Sequence, residues 1–102
     1  MKTLEAIINR VVAYRDAQGW QRNDKPNNVA KSIAIEAAEL LENYQWSKEP
    51  VNLENVKEEL ADVLMYALTM VYDENIDLEE AFKRRIRERE STMKRLQEKG
   101  EK

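Results

Sequence analysis

The chain has 102 residues, of which 42% are apolar and 36% charged, and its net charge is −3 at pH 7. That length fits one small domain covering residues 1–102, and the weak charge gives no reason to expect a nucleic-acid or membrane partner. The absence of cysteine and histidine excludes disulfides, zinc sites built on those residues and His-dependent nucleophilic catalysis.

Hydrophobic periodicity predicts that the N-terminal half of the chain forms two helices. The first covers about residues 3–18, where one stripe of apolar side chains repeats with helical spacing. Gly19 follows as a stop signal. The second helix runs from about Asn28 to Trp46, after a polar lead-in that contains Pro26.

Two further helices are predicted in the C-terminal half. The third covers about residues 53–74, with Asn52 as its N-cap. The fourth begins at Asp77, which has capping-box spacing to Glu80. It becomes heavily charged, and we expect it to fray from about residue 96.

The fold class expected from these elements is all-α, an antiparallel four-helix bundle-like protomer. Helices two and three are apolar on more of their circumference than one protomer can cover. On helix two, Ile33 and Leu40 lie on one face and Ile35 on the opposite face, while residues 60–72 read "LADVLMYALTMVY". We therefore expect a homo-oligomer that buries the excess apolar surface.

Two pairs of carboxylates interrupt these apolar helices. Glu36 and Glu39 are three residues apart in "IAIEAAELL", and Glu59 and Asp62 repeat the spacing on helix three. Residues at i and i+3 share a helix face. If the two helices are antiparallel neighbours, all four carboxylates converge at their interface.

Such a cluster cannot stay both ionised and empty, because buried like charges repel each other and lose their hydration. A hard divalent cation resolves the conflict, and oxygen-only ligands favour Mg²⁺, with Mn²⁺ as a substitute. Mg²⁺ commonly recruits substrate phosphates, which indicates phosphate-ester or anhydride chemistry. The alternative is that both pairs are ordinary solvated carboxylates, which are common on helices.

With these residues in view, the sequence resembles the MazG-like nucleoside triphosphate pyrophosphohydrolases, in particular the small branch that includes dCTP pyrophosphatases. Their E-x-x-E and E-x-x-D signature corresponds here to Glu36/Glu39 and Glu59/Asp62, with nineteen residues between the two motifs. The stretches "YRDAQGW", "KPNNVAKSIAIEAAELLENYQW" and "EELADVLMYAL" carry the rest of the similarity.

The resemblance implies an enzyme that hydrolyses NTPs, or more specifically dNTPs, to monophosphate and pyrophosphate, cleaning the nucleotide pool of the cytoplasm. It implies that all four carboxylates bind Mg²⁺, unless one of the glutamates orients or deprotonates the attacking water. It also implies a homodimer or tetramer with sites near the subunit interface.

Several softer positions are candidates for substrate binding, and each has a structural alternative: Trp20, Trp46, Tyr66 and Asn28 match residues of this family, and Lys31 precedes the first acidic pair. Trp20 and Trp46 would stack on a base or simply pack, and the Tyr66 hydroxyl would reach substrate or satisfy the core. Lys31 would neutralise phosphate or lie on the surface. Asn28 would contact substrate or cap its helix.

The last helix departs from the family pattern. Arg85 and Arg89 occupy positions where many members have a lysine and an asparagine, and either arginine could hold phosphate. The alternative is that "KRRIRERE" is a solvated, salt-bridged face. This departure keeps two further hypotheses open: a non-catalytic helical interaction module, and a hydrolase of another phosphoanhydride that uses the same cluster.

Overall fold

The computed structural model describes residues 3–23 and 25–100, and these residues contain helices but no strand. The all-α fold class is therefore confirmed. The ends of the expected domain, residues 1–2 and 101–102, lie outside the described ranges. In chain order the elements are α1 (Leu4–Ala17), a short 3₁₀ turn (Trp20–Arg22), α2 (Pro26–Glu42), α3 (Leu53–Asp73) and α4 (Leu78–Glu98).

The first helix is delimited as the sequence predicts. Thr3 caps its start, with the Thr3 Oγ1 accepting a hydrogen bond from the Ala6 N–H at 3.2 Å. Gly19 follows its end at φ 74°, a left-handed conformation that glycine adopts without steric cost. The chain then turns directly into the 3₁₀ turn that carries Trp20.

The second helix differs from the prediction at both ends. It begins at Pro26 rather than near Asn28, because proline fits the first helical position, where its missing N–H is not needed. It ends at Glu42 rather than at Trp46, because Asn43 diverts the chain. The buried Asn43 carbonyl accepts a hydrogen bond from the Val51 N–H at 2.9 Å, which closes a loop over residues 43–52.

Local hydrogen bonds fix the bounds of α3. Asn52 is its N-cap as predicted, with Oδ1 accepting from the Asn55 N–H at 3.2 Å. After the helix, Asn75 is left-handed at φ 53°. Its N–H donates to the Tyr72 carbonyl at 3.1 Å, and the Ile76 N–H donates to the Val71 carbonyl at 2.9 Å. This pair of bonds is a Schellman motif, in which asparagine takes the usual place of glycine.

The fourth helix starts at the predicted cap, because Asp77 Oδ1 accepts a hydrogen bond from the Glu80 N–H at 3.0 Å. It continues as helix to Glu98, past the residue at which the sequence suggests fraying.

Three of the four helices form the packed body of the protomer. α3 packs along α2 and also against α1, and each of these helices contributes one buried valine to the core: Val12, Val29 and Val56. α4 makes at most a slight contact with the other helices among the described residues. The radius of gyration is 17.2 Å, whereas a compact chain of this length has about 13 Å. The fourth helix therefore extends away from a three-helix body.

Large apolar side chains remain exposed on this single chain. Ile35 and Leu64 are 58% and 56% exposed on α2 and α3, and Phe82 and Ile86 are 56% and 57% exposed on α4. The expected homo-oligomer would cover such surfaces, and it stays a prediction. Across the described helices, none combines the length and the apolar character that a membrane crossing requires.

Candidate active site

The packing of α2 against α3 brings together three of the four predicted carboxylates. Glu36 of α2 and Glu59 and Asp62 of α3 each offer a carboxylate oxygen, and these oxygens lie within 4.8 Å of one another. Each of the three residues is partly buried. The convergence follows from the i, i+3 spacing on α3 and the register in which α2 lies beside it.

A polar clamp at the loop end of the two helices sets that register. Asn43 is only 5% exposed. Its Nδ2 donates to Asn55 Oδ1 at 2.8 Å, and its Oδ1 accepts from the Asn52 N–H at 3.2 Å. One side chain at the end of α2 thus binds both the cap and the first turn of α3, one turn before Glu59.

Two oxygens of the cluster are buried without a hydrogen-bond partner. They are Oε2 of Glu36 and Oε2 of Glu59. An unpaired buried carboxylate oxygen is costly, so native proteins rarely retain one without a ligand or a proton to satisfy it. These two atoms therefore distinguish the cluster from an ordinary solvated pair of glutamates.

The pKa values of the cluster also distinguish it from solvated carboxylates. The hydrogen bond to Glu59, followed by burial and the neighbouring Glu39 and Asp62, raises the pKa of Glu36 to about 7. The hydrogen bond from Glu36 lowers the pKa of Glu59, but burial and the same two acidic neighbours outweigh it, so the pKa of Glu59 is raised. The metal-free cluster therefore favours a shared proton over full ionisation.

Glu39 is at the edge of the cluster rather than inside it. It is absent from the group of three converging oxygens, although it lies near enough to raise the pKa of both Glu36 and Glu59. The sequence predicts four metal ligands, unless one of the glutamates acts on the water; in the structure the oxygens of three carboxylates converge and Glu39 lies beside them.

The donor set fits a hard divalent cation. All three converging groups are carboxylates, two of them have unpartnered buried oxygens, and their oxygens all lie within 4.8 Å of one another, as ligands of a single ion must. The partial burial of the cluster leaves room for substrate or water to complete the coordination.

The carboxylates open onto a cleft of about 600 Å³ between α1, α2 and α3. Glu36 and Asp62 lie at its acidic end, and the remaining lining residues are Arg10, Val11, Tyr14, Arg15, Trp20, Met65, Tyr66 and Thr69. A volume of this size accommodates a molecule as large as a nucleotide. The cleft thus combines an acidic end with aromatic and cationic walls.

Two aromatic side chains form one wall of the cleft. The rings of Tyr14 and Trp20 pack edge to face, with centroids 5.5 Å apart and planes inclined at 84°. Trp20 is still 49% exposed. The contact with Tyr14 fixes the position of the indole, and its exposed part remains available for stacking on a flat ligand.

Two of the softer predicted residues, Trp20 and Tyr66, line this cleft. Three others from the first half of the chain do not. Trp46 is 88% exposed in the loop after α2. Lys31 is exposed. Asn28 lies within α2 rather than at its N-cap, and its Nδ2 donates a hydrogen bond to the Asn23 carbonyl at 3.0 Å.

The arginines of α4 also lie away from the cleft of their own chain. Arg85 pairs with Glu88 at 3.2 Å, as expected for a solvated, salt-bridged face. Arg89 lies on an open surface of α4 with Ile86 and Met93. Their role in substrate binding stays a prediction.

The sequence analysis missed the polar residues that α1 contributes. Arg15 is 5% exposed, and its guanidinium forms a two-pronged pair with Asp73, of which the Nη2–Oδ1 distance is 3.0 Å. Its position was readable, because Arg15 follows Val11 and Val12 at i+4 and i+3 on the apolar stripe. Tyr14 was also readable, because it follows Val11 at i+3 and begins the stretch "YRDAQGW", whereas Arg10 lies off the stripe and gave no such signal.

Comparison with known proteins gives a consistent result. The family model described as MazG-like matches residues 31–102, which include all four predicted carboxylates. Among solved structures, a pyrophosphatase from Archaeoglobus fulgidus superimposes with a TM-score of 0.81 and 34% identity, covering 90% of this chain and 93% of that one.

Two curated relatives are similar over a shorter part of their length. They are dCTP pyrophosphatase 1 of Mus musculus and of Rattus norvegicus, each 27% identical over 88 residues. The alignments cover 78% of this chain and 52% of each relative. The chain thus spans about half the length of the curated relatives that it matches.

Proposed function

This chain belongs to the MazG-like family, and from that premise we propose that it hydrolyses nucleoside triphosphates to monophosphate and pyrophosphate with Mg²⁺ as cofactor. The observation that carries the proposal is the pair of unpartnered buried oxygens of Glu36 and Glu59, in a cluster that borders a nucleotide-sized cleft through Glu36 and Asp62. The names of the relatives support the reaction class, since each is called a pyrophosphatase.

The proposed reaction is a single displacement at the α-phosphorus. The oxygen of water forms a bond to that phosphorus, and the bond from the phosphorus to the oxygen that bridges the α- and β-phosphates breaks. Pyrophosphate leaves with the bridging oxygen, and the proton of the water passes to a base. The negative charge that develops on the leaving group is the main electrostatic demand of the step.

The residues that would hold the cation are Glu36, Glu59 and Asp62, since their oxygens converge. When bound, a divalent cation supplies positive charge for the phosphates and lowers the pKa of water. Glu39 stands outside the three converging oxygens but faces them. It is therefore the carboxylate that we assign to orienting the attacking water or accepting its proton.

The aromatic wall is suited to the base of the substrate. An indole face that stacks on a base contributes about 1–3 kcal/mol and tolerates any base. Trp20 is the cleft residue with such a face, and Tyr14 holds it in place. Tyr66 lies one turn after Asp62 on α3, where its hydroxyl would meet the sugar or the phosphates.

We further propose that the substrates are deoxynucleoside triphosphates and that the protein removes surplus or unwanted nucleotides in the cytoplasm. The dCTP pyrophosphatases among the relatives support the choice of sugar. A homodimer or tetramer would cover the exposed apolar side chains of α2, α3 and α4.

The experiment that tests the function is product analysis. The protein is incubated with Mg²⁺ and a panel of NTPs and dNTPs, and monophosphate and pyrophosphate are separated from diphosphate and phosphate. Glu36→Gln removes one converging carboxylate. Glu42→Gln is the matched control, since it makes the same change at an exposed position of α2.

We expect monophosphate and pyrophosphate from the parent chain and from Glu42→Gln, and no product from Glu36→Gln or in EDTA. Turnover that is unaffected in Glu36→Gln would contradict the assignment of the site. If no nucleotide is hydrolysed but another phosphoanhydride is cleaved, that compound would be the substrate of the site. No turnover of any kind would favour a non-catalytic module.

A further inference from the structure

Two arginines of α1, Arg10 and Arg15, line the proposed substrate cleft, and their surroundings differ. The Arg15 guanidinium is buried, pairs with Asp73 through two nitrogens, and donates from Nε to Asp16 at 3.1 Å. Its charge is neutralised by acidic groups of the protein itself. It has no nitrogen readily available for an anionic ligand.

Arg10 has no such partner. Its side chain is exposed, and within residues 3–23 and 25–100 it forms no ion pair and no side-chain hydrogen bond. It nevertheless contributes to the lining of the cleft. Of the positively charged residues on the cleft wall, it is therefore the one whose charge the described residues leave uncompensated.

The position of Arg10 along the cleft is also informative. Arg15 pairs with Asp73 near the C-terminal ends of α1 and α3. Residues that come earlier on each helix also line the cleft, for example Val11 on α1 and Asp62 on α3. Arg10 is five residues before Arg15, about 7.5 Å along the helix axis in the direction away from this pair. It also lies one turn before Tyr14, the residue that supports Trp20.

Arg10 thus lines the same cleft as the carboxylates Glu36 and Asp62, one helical turn before the aromatic residue Tyr14. An anion placed beside these carboxylates meets repulsion that one divalent cation offsets only in part, because a nucleoside triphosphate carries about four negative charges. A guanidinium that lines the same cleft can supply the missing positive charge and bind two phosphate oxygens at once.

We propose that Arg10 binds the phosphate oxygens of the triphosphate substrate that the cation does not hold, and that it stabilises the pyrophosphate as it leaves. The inference rests on the proposed function, and it assigns to α1 the contact that the sequence alone would place on Lys31, Arg85 or Arg89. None of those three residues lines the cleft of this chain.

The test uses three variants of the full chain. Arg10→Gln removes the charge and keeps a polar chain of similar helix propensity. Arg10→Lys keeps the charge but loses the two-pronged geometry. Arg95→Gln is the matched control, because it removes the charge of an exposed arginine on a helix outside the cleft. Each variant is first compared with the parent chain by thermal unfolding.

Two readouts follow: steady-state kinetics on the best nucleotide, and the affinity for inorganic tripolyphosphate with Mg²⁺, measured by calorimetry. We expect Arg10→Gln to weaken tripolyphosphate binding about tenfold or more and to lower kcat/KM by at least that factor, with Arg10→Lys intermediate. Arg95→Gln should match the parent chain, and Mn²⁺ affinity without phosphate should be unchanged in all variants.

Equal tripolyphosphate affinity in Arg10→Gln and the parent chain would overturn the proposal, and so would an equal loss in Arg95→Gln. Because the binding measurement needs no turnover, it tests Arg10 even if no nucleotide is hydrolysed. Turnover in the parent chain with an unaffected Arg10→Gln variant would instead leave the proposed function standing and refute the role of Arg10 alone.

Discussion

Glu36 of α2 and Glu59 of α3 meet across the helix interface, and each keeps an Oε2 that is buried without a hydrogen-bond partner. The proximity of Glu59, followed by burial, raises the pKa of Glu36 to about 7, so the two carboxylates are not both ionised when no cation is bound. A site of this kind is unfavourable when empty, which makes the carboxylates sensitive to pH, to substitution and to cations.

Asp62→Asn is expected to abolish turnover without destabilising the metal-free protein. The change removes one of three converging ligands, so activity should fall about 100-fold or more. It also relieves repulsion, because Asp62 is among the groups that raise the pKa of Glu36. The midpoint of thermal unfolding in EDTA should therefore stay the same or rise.

Glu58→Gln is the control for this prediction, since Glu58 lies exposed on the same helix. It should retain full activity. A stable Asp62→Asn variant that still turns over would show that the carboxylate is not a ligand. A variant that unfolds at much lower temperature would show that it is structural.

The metal-free protein is expected to become less stable as the pH rises from about 5 to about 8. The pKa of Glu36 is about 7 in the folded chain, against the ordinary glutamate value of 4.5. Between these values the folded state holds a proton that the unfolded state has released, so the free energy of unfolding falls with rising pH. Urea titrations in EDTA across this range measure the slope.

Two controls isolate the contribution of the cluster. Glu36→Gln should flatten the pH dependence, because the raised group is gone. Saturating Mg²⁺ should reverse the trend at high pH, because the ionised carboxylates then bind the cation. Stability that rises with pH in EDTA and is unaffected by Glu36→Gln would contradict the prediction.

The Arg15–Asp73 pair is expected to hold α1 against the end of α3. The side chains are 6% and 30% exposed, so Asp73→Asn leaves a mostly buried guanidinium with a weaker partner. We expect a loss of about 2 kcal/mol in the free energy of unfolding, below the usual cost for a fully buried pair because Asp73 is partly solvated.

Asp16→Asn is the matched control, because the Asp16 carboxylate also bonds Arg15 but is 49% exposed. It should cost less than about 0.5 kcal/mol. In a double-mutant cycle, Arg15→Met and Asp73→Leu together should cost less than the sum of the single changes. Additive losses would mean that the two side chains do not stabilise each other.

The two tryptophans are expected to behave differently. Trp20→Ala should raise KM about tenfold with little change in kcat, because it removes a stacking face from the cleft wall. Trp46→Ala should leave both constants near those of the parent chain, since Trp46 is 88% exposed and outside that wall. An equal rise of KM in both variants would show that Trp46 also contacts substrate, for example in the cleft of a second copy of the chain.

Much of the fold could be read from the sequence because its determinants are local. Asn52, Asp77 and Gly19 mark helix ends through hydrogen bonds or backbone conformations that involve only a few neighbouring residues. The start of α2 was predicted two residues late although its signal, Pro26, is local, whereas the end was wrong because its determinant is not local. Asn43 ends that helix by bonding the chain eight to twelve residues later, at Val51, Asn52 and Asn55.

In the site, too, the features set by local spacing could be predicted and those set by tertiary packing could not. The spacing of Glu36, Glu59 and Asp62 predicted a cluster that the helices do form. The spacing could not distinguish Glu39, because its separation from the other oxygens depends on how α2 is rotated against α3. Arg10 escaped notice because its significance lies in the cleft it borders and in a missing partner, and neither is visible in a sequence.

The carboxylate cluster should direct water to the α-phosphorus of a nucleotide, and hydrolysis in ¹⁸O-labelled water with Mg²⁺ identifies the phosphorus that is attacked. Mass spectrometry of the products locates the oxygen that came from water. We predict ¹⁸O in the nucleoside monophosphate, unlabelled pyrophosphate, and no labelled product with Glu36→Gln or EDTA. Label in pyrophosphate or in inorganic phosphate would place the attack on another phosphorus and contradict the account.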